Sequence, residues 1–221
     1  MPAMRIELPS GGPAELAVPE GREPTLGLAV CPDIGGLRPL FVEIGQRLAD
    51  QHGWAVCTID PFFQRESEPV EQRMKAPLRE HLVDEVLAAA DATGCDRTAV
   101  IGFCLGGMVA YQAAALGRFD RAVGFYGMIH VPEQWRSADM VEPLQALAEP
   151  DASPTLAICA GKDHYTPPDY LDELRAVGEH VEVVVYPDAD HGFVHDPQRP
   201  SHRPDDAADA WRRMAEFVDR A

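Results

Sequence analysis

The sequence predicts an α/β fold, a mostly parallel twisted sheet with helices on both faces. Three observations carry that expectation. Short apolar runs of strand length recur at residues 25–31, 54–59, 99–101, 121–126, 155–160 and 181–187. Most are separated by segments whose apolar residues repeat at helical spacing. Three of the runs also end in turns that carry cysteine, aspartate or histidine, and active groups of open α/β sheets gather at the carboxyl ends of strands. With 221 residues, 46% of them hydrophobic, the chain can bury the core of one domain spanning 1–221. No internal repeat or linker is visible.

Each element has a local reason. Residues 4–8 and 14–18 read as an opening hairpin around a Pro/Gly-rich turn, ahead of the strand at 25–31. Phe41, Ile44 and Leu48 share one face of a helix over 40–51. After the strand at 54–59, Leu82, Val86, Ala89 and Ala90 turn one face of a helix over 78–92 inward. A strand ending in Ala99-Val100-Ile101 leads into a helix marked by Met108, Tyr111 and Ala115. Helices over 170–177 and 207–218 follow the strands at 155–160 and 181–187. Two stretches interrupt the alternation, 62–77 and 128–154, and both read as long loops. Either could form a pocket wall, with Phe62, Phe63, Tyr126 or Trp135 facing a ligand.

The most informative motif is Gly102-Phe103-Cys104-Leu105-Gly106-Gly107. It reads as a strand turning sharply into a helix with a cysteine at the apex. Glycines two before and two after the apex leave room where a Cβ would clash. The Leu105 amide, at the start of the helix, would face a developing oxyanion. Two partners come later in the chain. Asp163 falls in the loop after the strand at 155–160, and His191 follows the strand at 181–187. Nucleophile, acid, histidine is the chain order of an α/β-hydrolase fold. Asp188 and Asp190 are rival acids, but they lie too close in sequence to reach around the histidine ring.

Composition excludes several classes. Nineteen Lys and Arg stand against 36 Asp and Glu, a net charge of −17, so no nucleic-acid partner is expected. An acidic field repels anions, so a carboxylate-bearing ligand would need a local basic pocket; Arg38, Arg65, His130, His164 and His195 are candidates. No apolar run approaches membrane-spanning length and no secretory signal is visible. Five cysteines without CxxC spacing read as reduced thiols, so a cytoplasmic setting is expected. His191 and His195 are spaced i, i+4, but Gly192, Pro197 and Pro200 make the segment a loop, and no metal site is expected. No G-x-G-x-x-G or P-loop sequence occurs, so no cofactor is called for.

These motifs resemble those of the dienelactone hydrolase family. The likeness lies in the cysteine elbow, Gly161-Lys162-Asp163-His164 with Pro167, Asp190-His191-Gly192-Phe193, and the early loop Cys31-Pro32-Asp33-Ile34-Gly35-Gly36. It runs from about residue 4 to the C-terminus. The resemblance implies a Cys104-His191-Asp163 triad that cleaves a lactone or carboxylic ester through a thioester acyl-enzyme. It further implies an oxyanion hole from the amides of Ile34 and Leu105. The sequence departs from the family at two places. Asp33 stands where a glutamate that helps activate the cysteine is usual. Of the arginines that hold a substrate carboxylate, one is replaced by His195 and the other, Arg65, falls one place later.

The expected partner is therefore a small-molecule ester or lactone, acted on by a monomer or small homo-oligomer. Asp33, Phe62, Arg65, Tyr126 and His195 are candidates for substrate contact or thiol activation. A carboxylate beside a thiol disfavours the thiolate, so Asp33 could act as a brake on Cys104; otherwise it is a turn or cap residue. The alternatives are a non-catalytic ligand-binding protein and an acyltransferase on the same scaffold.

Overall fold

A computed structural model describes residues 2–75, 81–137 and 140–220. One sheet carries eight strands: β1 (Met4–Glu7), β2 (Pro13–Ala17), β3 (Gly27–Cys31), β4 (Ala55–Ile59), β5 (Thr98–Phe103), β6 (Arg121–Phe125), β7 (Thr155–Ala160) and β8 (Val181–Tyr186). Their spatial order is β1-β2-β4-β3-β5-β6-β7-β8. β1 and β2 pair antiparallel, β2 joins β4 antiparallel, and the other pairings are parallel. This is the predicted α/β-hydrolase arrangement. β3, β4, β5 and β7 are buried along their whole length, as strands covered on both faces must be.

The helices are α1 (Pro39–His52), α2 (Val70–Arg73), α3 (Leu82–Ala92), α4 (Leu105–Ala114), α5 (Pro143–Leu147), α6 (Pro168–Ala176) and α7 (Pro204–Val218). α1, α6 and α7 each begin on a proline, whose fixed φ and missing N–H suit the first turn. α1 ends on Gly53 at φ 76°, which a residue with a Cβ adopts only with strain. Phe41 of α1 and Trp211 of α7 both pack on the ring of Phe103 in β5, at 5.6 Å each, so these helices share one face of the sheet. α4 is buried throughout and packs against α3 and α5.

The two stretches read as loops are not wholly irregular. The first contains α2, and the second a 3₁₀ turn (Glu133–Trp135) and α5. The expected start of the third helix at Leu78 lies outside the described residues. Trp135 also ties the stretches together, its indole N–H donating to the Met74 carbonyl at 3.0 Å.

Candidate active site

β5 breaks into α4 at Cys104, which holds φ 57° and ψ −115°, a sparsely populated conformation for any residue with a side chain. Close packing imposes it. A Cβ on Gly102 would sit 1.9 Å from the Gly106 carbonyl oxygen, and one on Gly106 would sit 2.0 Å from that of Cys31. Both obstacles are backbone, so neither can swing aside. The Cys104 N–H donates to the Phe125 carbonyl of β6 at 2.9 Å, and its own carbonyl accepts from Met108 at 3.1 Å. The elbow is thus held from the strand side and the helix side. Cys104 retains 8% exposure at the sheet's carboxyl edge.

Asp163 lies just beyond β7 and is buried. Its Oδ1 accepts the Tyr165 N–H at 2.9 Å, and its Oδ2 faces His191 Nδ1 at 2.6 Å. A carboxylate can only accept, so Nδ1 carries the proton and Nε2 is the basic nitrogen. Nε2 is buried without a hydrogen-bond partner among the described residues. The Cys104 sulfur is near enough to act on the ring. Burial alone favours the neutral imidazole. The bond to Asp163 and the neighbouring thiol outweigh it and raise the His191 pKa well above its ordinary value. Tyr126 and Tyr165 meet the imidazole edge-on, at 5.1 and 5.0 Å. The rival acids Asp188 and Asp190 are both exposed, and Asp188 pairs with Lys162.

The amides of Ile34 and Leu105 donate to no backbone carbonyl among the described residues. For Leu105, first residue of α4, this follows from helix geometry. Ile34 sits in a tight turn, with Gly36 N–H bonded to the Asp33 carbonyl at 2.9 Å and Gly36 at φ 72°.

Asp33 is saturated by other partners. Oδ1 accepts from Gly35 N–H at 2.8 Å and Arg38 at 2.6 Å, and Oδ2 accepts from Arg38 at 3.2 Å, Arg199 at 2.8 Å and His195 Nε2 at 2.9 Å. Burial pushes its pKa up, but the hydrogen bonds from His195 and Arg38 and the Arg38 charge hold it below the usual carboxylate range. His195 is buried too, and burial lowers its pKa; Arg199 and Arg38 push the same way, against Asp33. Neutral His195 donates through Nε2, and its Nδ1 accepts the O–H of Tyr126 in a very short contact. Tyr126 is fully buried and holds φ 42°, an outlier for an aromatic residue. The structure therefore joins Tyr126, His195 and Asp33 in one buried line.

That line carries a stability prediction. Truncating one member of a buried charged cluster strands the others and costs about 3–5 kcal/mol. Asp33→Ala should lower the unfolding free energy by that much in denaturant titrations. Because the folded carboxyl is held low, its stabilisation is present above its unfolded pKa of about 3.9 and is lost as pH falls below it. Asp33→Asn should therefore lose less stability on acidification than the wild type; equal slopes would contradict this placement.

The other candidates are placed as follows. Arg65 is engaged by Glu68 at 2.8–3.1 Å, and His130 contacts Glu173 at 3.1 Å. Phe62 is 1% exposed, beneath the guanidinium of Arg73. His164 is exposed against Tyr165. Sequence reasoning missed Arg73, Tyr165 and Arg199, since pairings across tens of residues leave no local pattern. No cluster of metal-binding side chains occurs among the described residues, and no described helix is long and apolar enough to cross a membrane.

The fold places the chain in the α/β-hydrolase class, with a cysteine at the sharp turn between β5 and α4. The sequence model of the dienelactone hydrolase family matches residues 13–221, and the chain belongs to that family. A relative from Yersinia pestis, named as a candidate carboxymethylenebutenolidase, is 31% identical over 95% of this chain and 85% of its own length. One of the same description from Methylorubrum extorquens is 30% identical over 93% of this chain and 75% of its own. The crystal structure of a candidate dienelactone hydrolase from Klebsiella pneumoniae superposes with a TM-score of 0.84 at 27% identity, covering 99% of this chain and 98% of that one.

Proposed function

We infer that the protein hydrolyses a small carboxylic ester or lactone through a thioester on Cys104. The observation that carries this reading is the strained elbow at Cys104, beside a histidine whose outer nitrogen is unpartnered and whose inner nitrogen is held by Asp163. Names given to the relatives point the same way, since a butenolide is an unsaturated lactone.

The chemistry follows from these atoms. Nε2 of His191 takes the proton of the Cys104 thiol, and Asp163 stabilises the imidazolium. The thiolate attacks the carbonyl carbon, and the π electrons move to an oxygen that the amides of Ile34 and Leu105 receive. As that oxyanion collapses, the C–O bond to the alkoxy group breaks and the alkoxide takes the proton from His191. In a lactone the freed alcohol stays attached to the acyl chain. Water then gives a proton to Nε2 and adds to the thioester carbonyl. The thiolate leaves, recovers the proton, and the acid is released.

Multiple turnover tests this against binding and acyl transfer. With excess 4-nitrophenyl acetate or dihydrocoumarin, many equivalents of free acid per protein are expected. Release of a single equivalent would mark a binder that reacts once. Transfer of the acyl group to added methanol or a thiol in preference to water would mark an acyltransferase.

A further inference from the structure

Arg73 is a buried cation next to the turn that bears Ile34, and nothing in the chemistry above uses it. It is 6% exposed and stacks on Phe62 at 4.4 Å. Its Nη1 donates to the carbonyls of Ile34 at 3.3 Å and Gly35 at 3.0 Å, and its Nη2 to those of Arg65 at 3.4 Å and Glu66 at 2.8 Å. Burying a guanidinium against neutral carbonyls is costly. Asp60 offsets part of that cost, its charge coupled to Arg73. A methionine or leucine there would fill the space without it.

We propose that Arg73 is the positioning residue of the oxyanion hole. This rests on the hydrolase reading above, in which the Ile34 amide receives the oxyanion. The turn at 33–36 is held from two sides. On one, Asp33 anchors it through Gly35 N–H and the Arg38, Arg199 and His195 partners. On the other, Arg73 grips the two successive carbonyls that follow the Ile34 amide. Fixing both carbonyls fixes the two peptide planes after Ile34, which limits how far the Ile34 amide can rotate. The charge also lies on the loop where negative charge would develop. Arg73 reaches further still. The next residue, Met74, offers its carbonyl to Trp135, so the second irregular stretch is linked to the turn through α2. That stretch can then transmit its placement to the oxyanion hole.

The discriminating test separates nucleophile from oxyanion hole. Alkylation of Cys104 by iodoacetamide displaces iodide at a saturated carbon and forms no oxyanion, whereas ester hydrolysis forms one in both halves. In Arg73→Met, kcat for 4-nitrophenyl acetate should fall about 10- to 100-fold, a fraction of the loss seen when an oxyanion donor is deleted outright. KM and the alkylation rate should stay within about threefold, and Arg73→Lys, which keeps the charge and some donors, should recover part of kcat. Thermal unfolding of each variant shows whether the fold is retained; if Arg73→Met does not fold, the same comparison is made on Arg73→Lys, where kcat falls and alkylation holds. An unchanged kcat in a folded variant overturns the proposal. So does a parallel fall of kcat and alkylation, which means general loss of the site, or a rise in KM confined to anionic esters, which means a direct substrate contact. A wild-type protein that hydrolyses no ester fails the hydrolase reading itself, before any variant is compared.

Discussion

Cys104→Ala is expected to abolish ester hydrolysis, lowering kcat by about four orders of magnitude or more, the scale at which loss of a nucleophile leaves only binding and oxyanion stabilisation. The elbow is built for a side chain at this point, since Gly102 and Gly106 contact backbone too closely to admit another residue. Alanine keeps the strained backbone and removes only the sulfur, so stability should change little. Cys104→Ser should restore measurable but lower activity, because an alkoxide is harder to generate than a thiolate with the same base. Iodoacetamide should inactivate in step with labelling at this position, while labelling of the half-buried Cys95 should leave activity unchanged. Cys31, Cys57 and Cys159 are buried, and burial pushes their thiols up, so they should not compete for reagent. Full activity in Cys104→Ala would refute the assignment.

His191→Ala is expected to have the next largest effect, a fall in kcat of several orders of magnitude, with Asp163→Asn falling by less. Alanine removes the proton acceptor, whereas asparagine leaves the imidazole in place with its tautomer no longer enforced. The two also differ in pH dependence. Among the partners that raise the His191 pKa, the bond to Asp163 stands first. A raised histidine keeps its proton at higher pH, and that proton is what the leaving alkoxide takes. Activity therefore persists above neutrality in the wild type and is lost as pH rises through the raised pKa. In Asp163→Asn this basic limb of kcat/KM should move toward neutrality. A limb that stays put would mean that another group titrates there.

Much of the fold was legible in the sequence because its signals are local. Apolar runs of five or six residues and the Gly102-x-Cys104-x-Gly106 spacing need no partner elsewhere in the chain. The short helices α2 and α5 escaped, at four and five residues, because a helix of barely one turn has no periodicity to read. The site divides the same way. Cys104, Asp163 and His191 each follow a strand, and strand ends can be read in order. The environment of Asp33 could not be read so. Its partners Arg38, His195 and Arg199 lie 5, 162 and 166 residues away, and only the folded chain brings them together. A carboxylate with that many donors is held in the turn, and thiol control by it is not needed to explain its burial. The setting of Arg65 is local by contrast, since its ion pair is with Glu68 three residues on.

The central claim is a covalent acyl-enzyme on Cys104, and intact-protein mass measurement after rapid acid quench tests it most directly. Mixed with excess 4-nitrophenyl acetate and quenched during turnover, the protein should gain one acetyl group, and peptide mapping should place it on Cys104 as a hydroxylamine-sensitive thioester. The adduct should disappear when substrate is exhausted and be absent in Cys104→Ala. Steady hydrolysis with no adduct on Cys104, or an acetyl group mapped to another residue and required for turnover, would contradict the account.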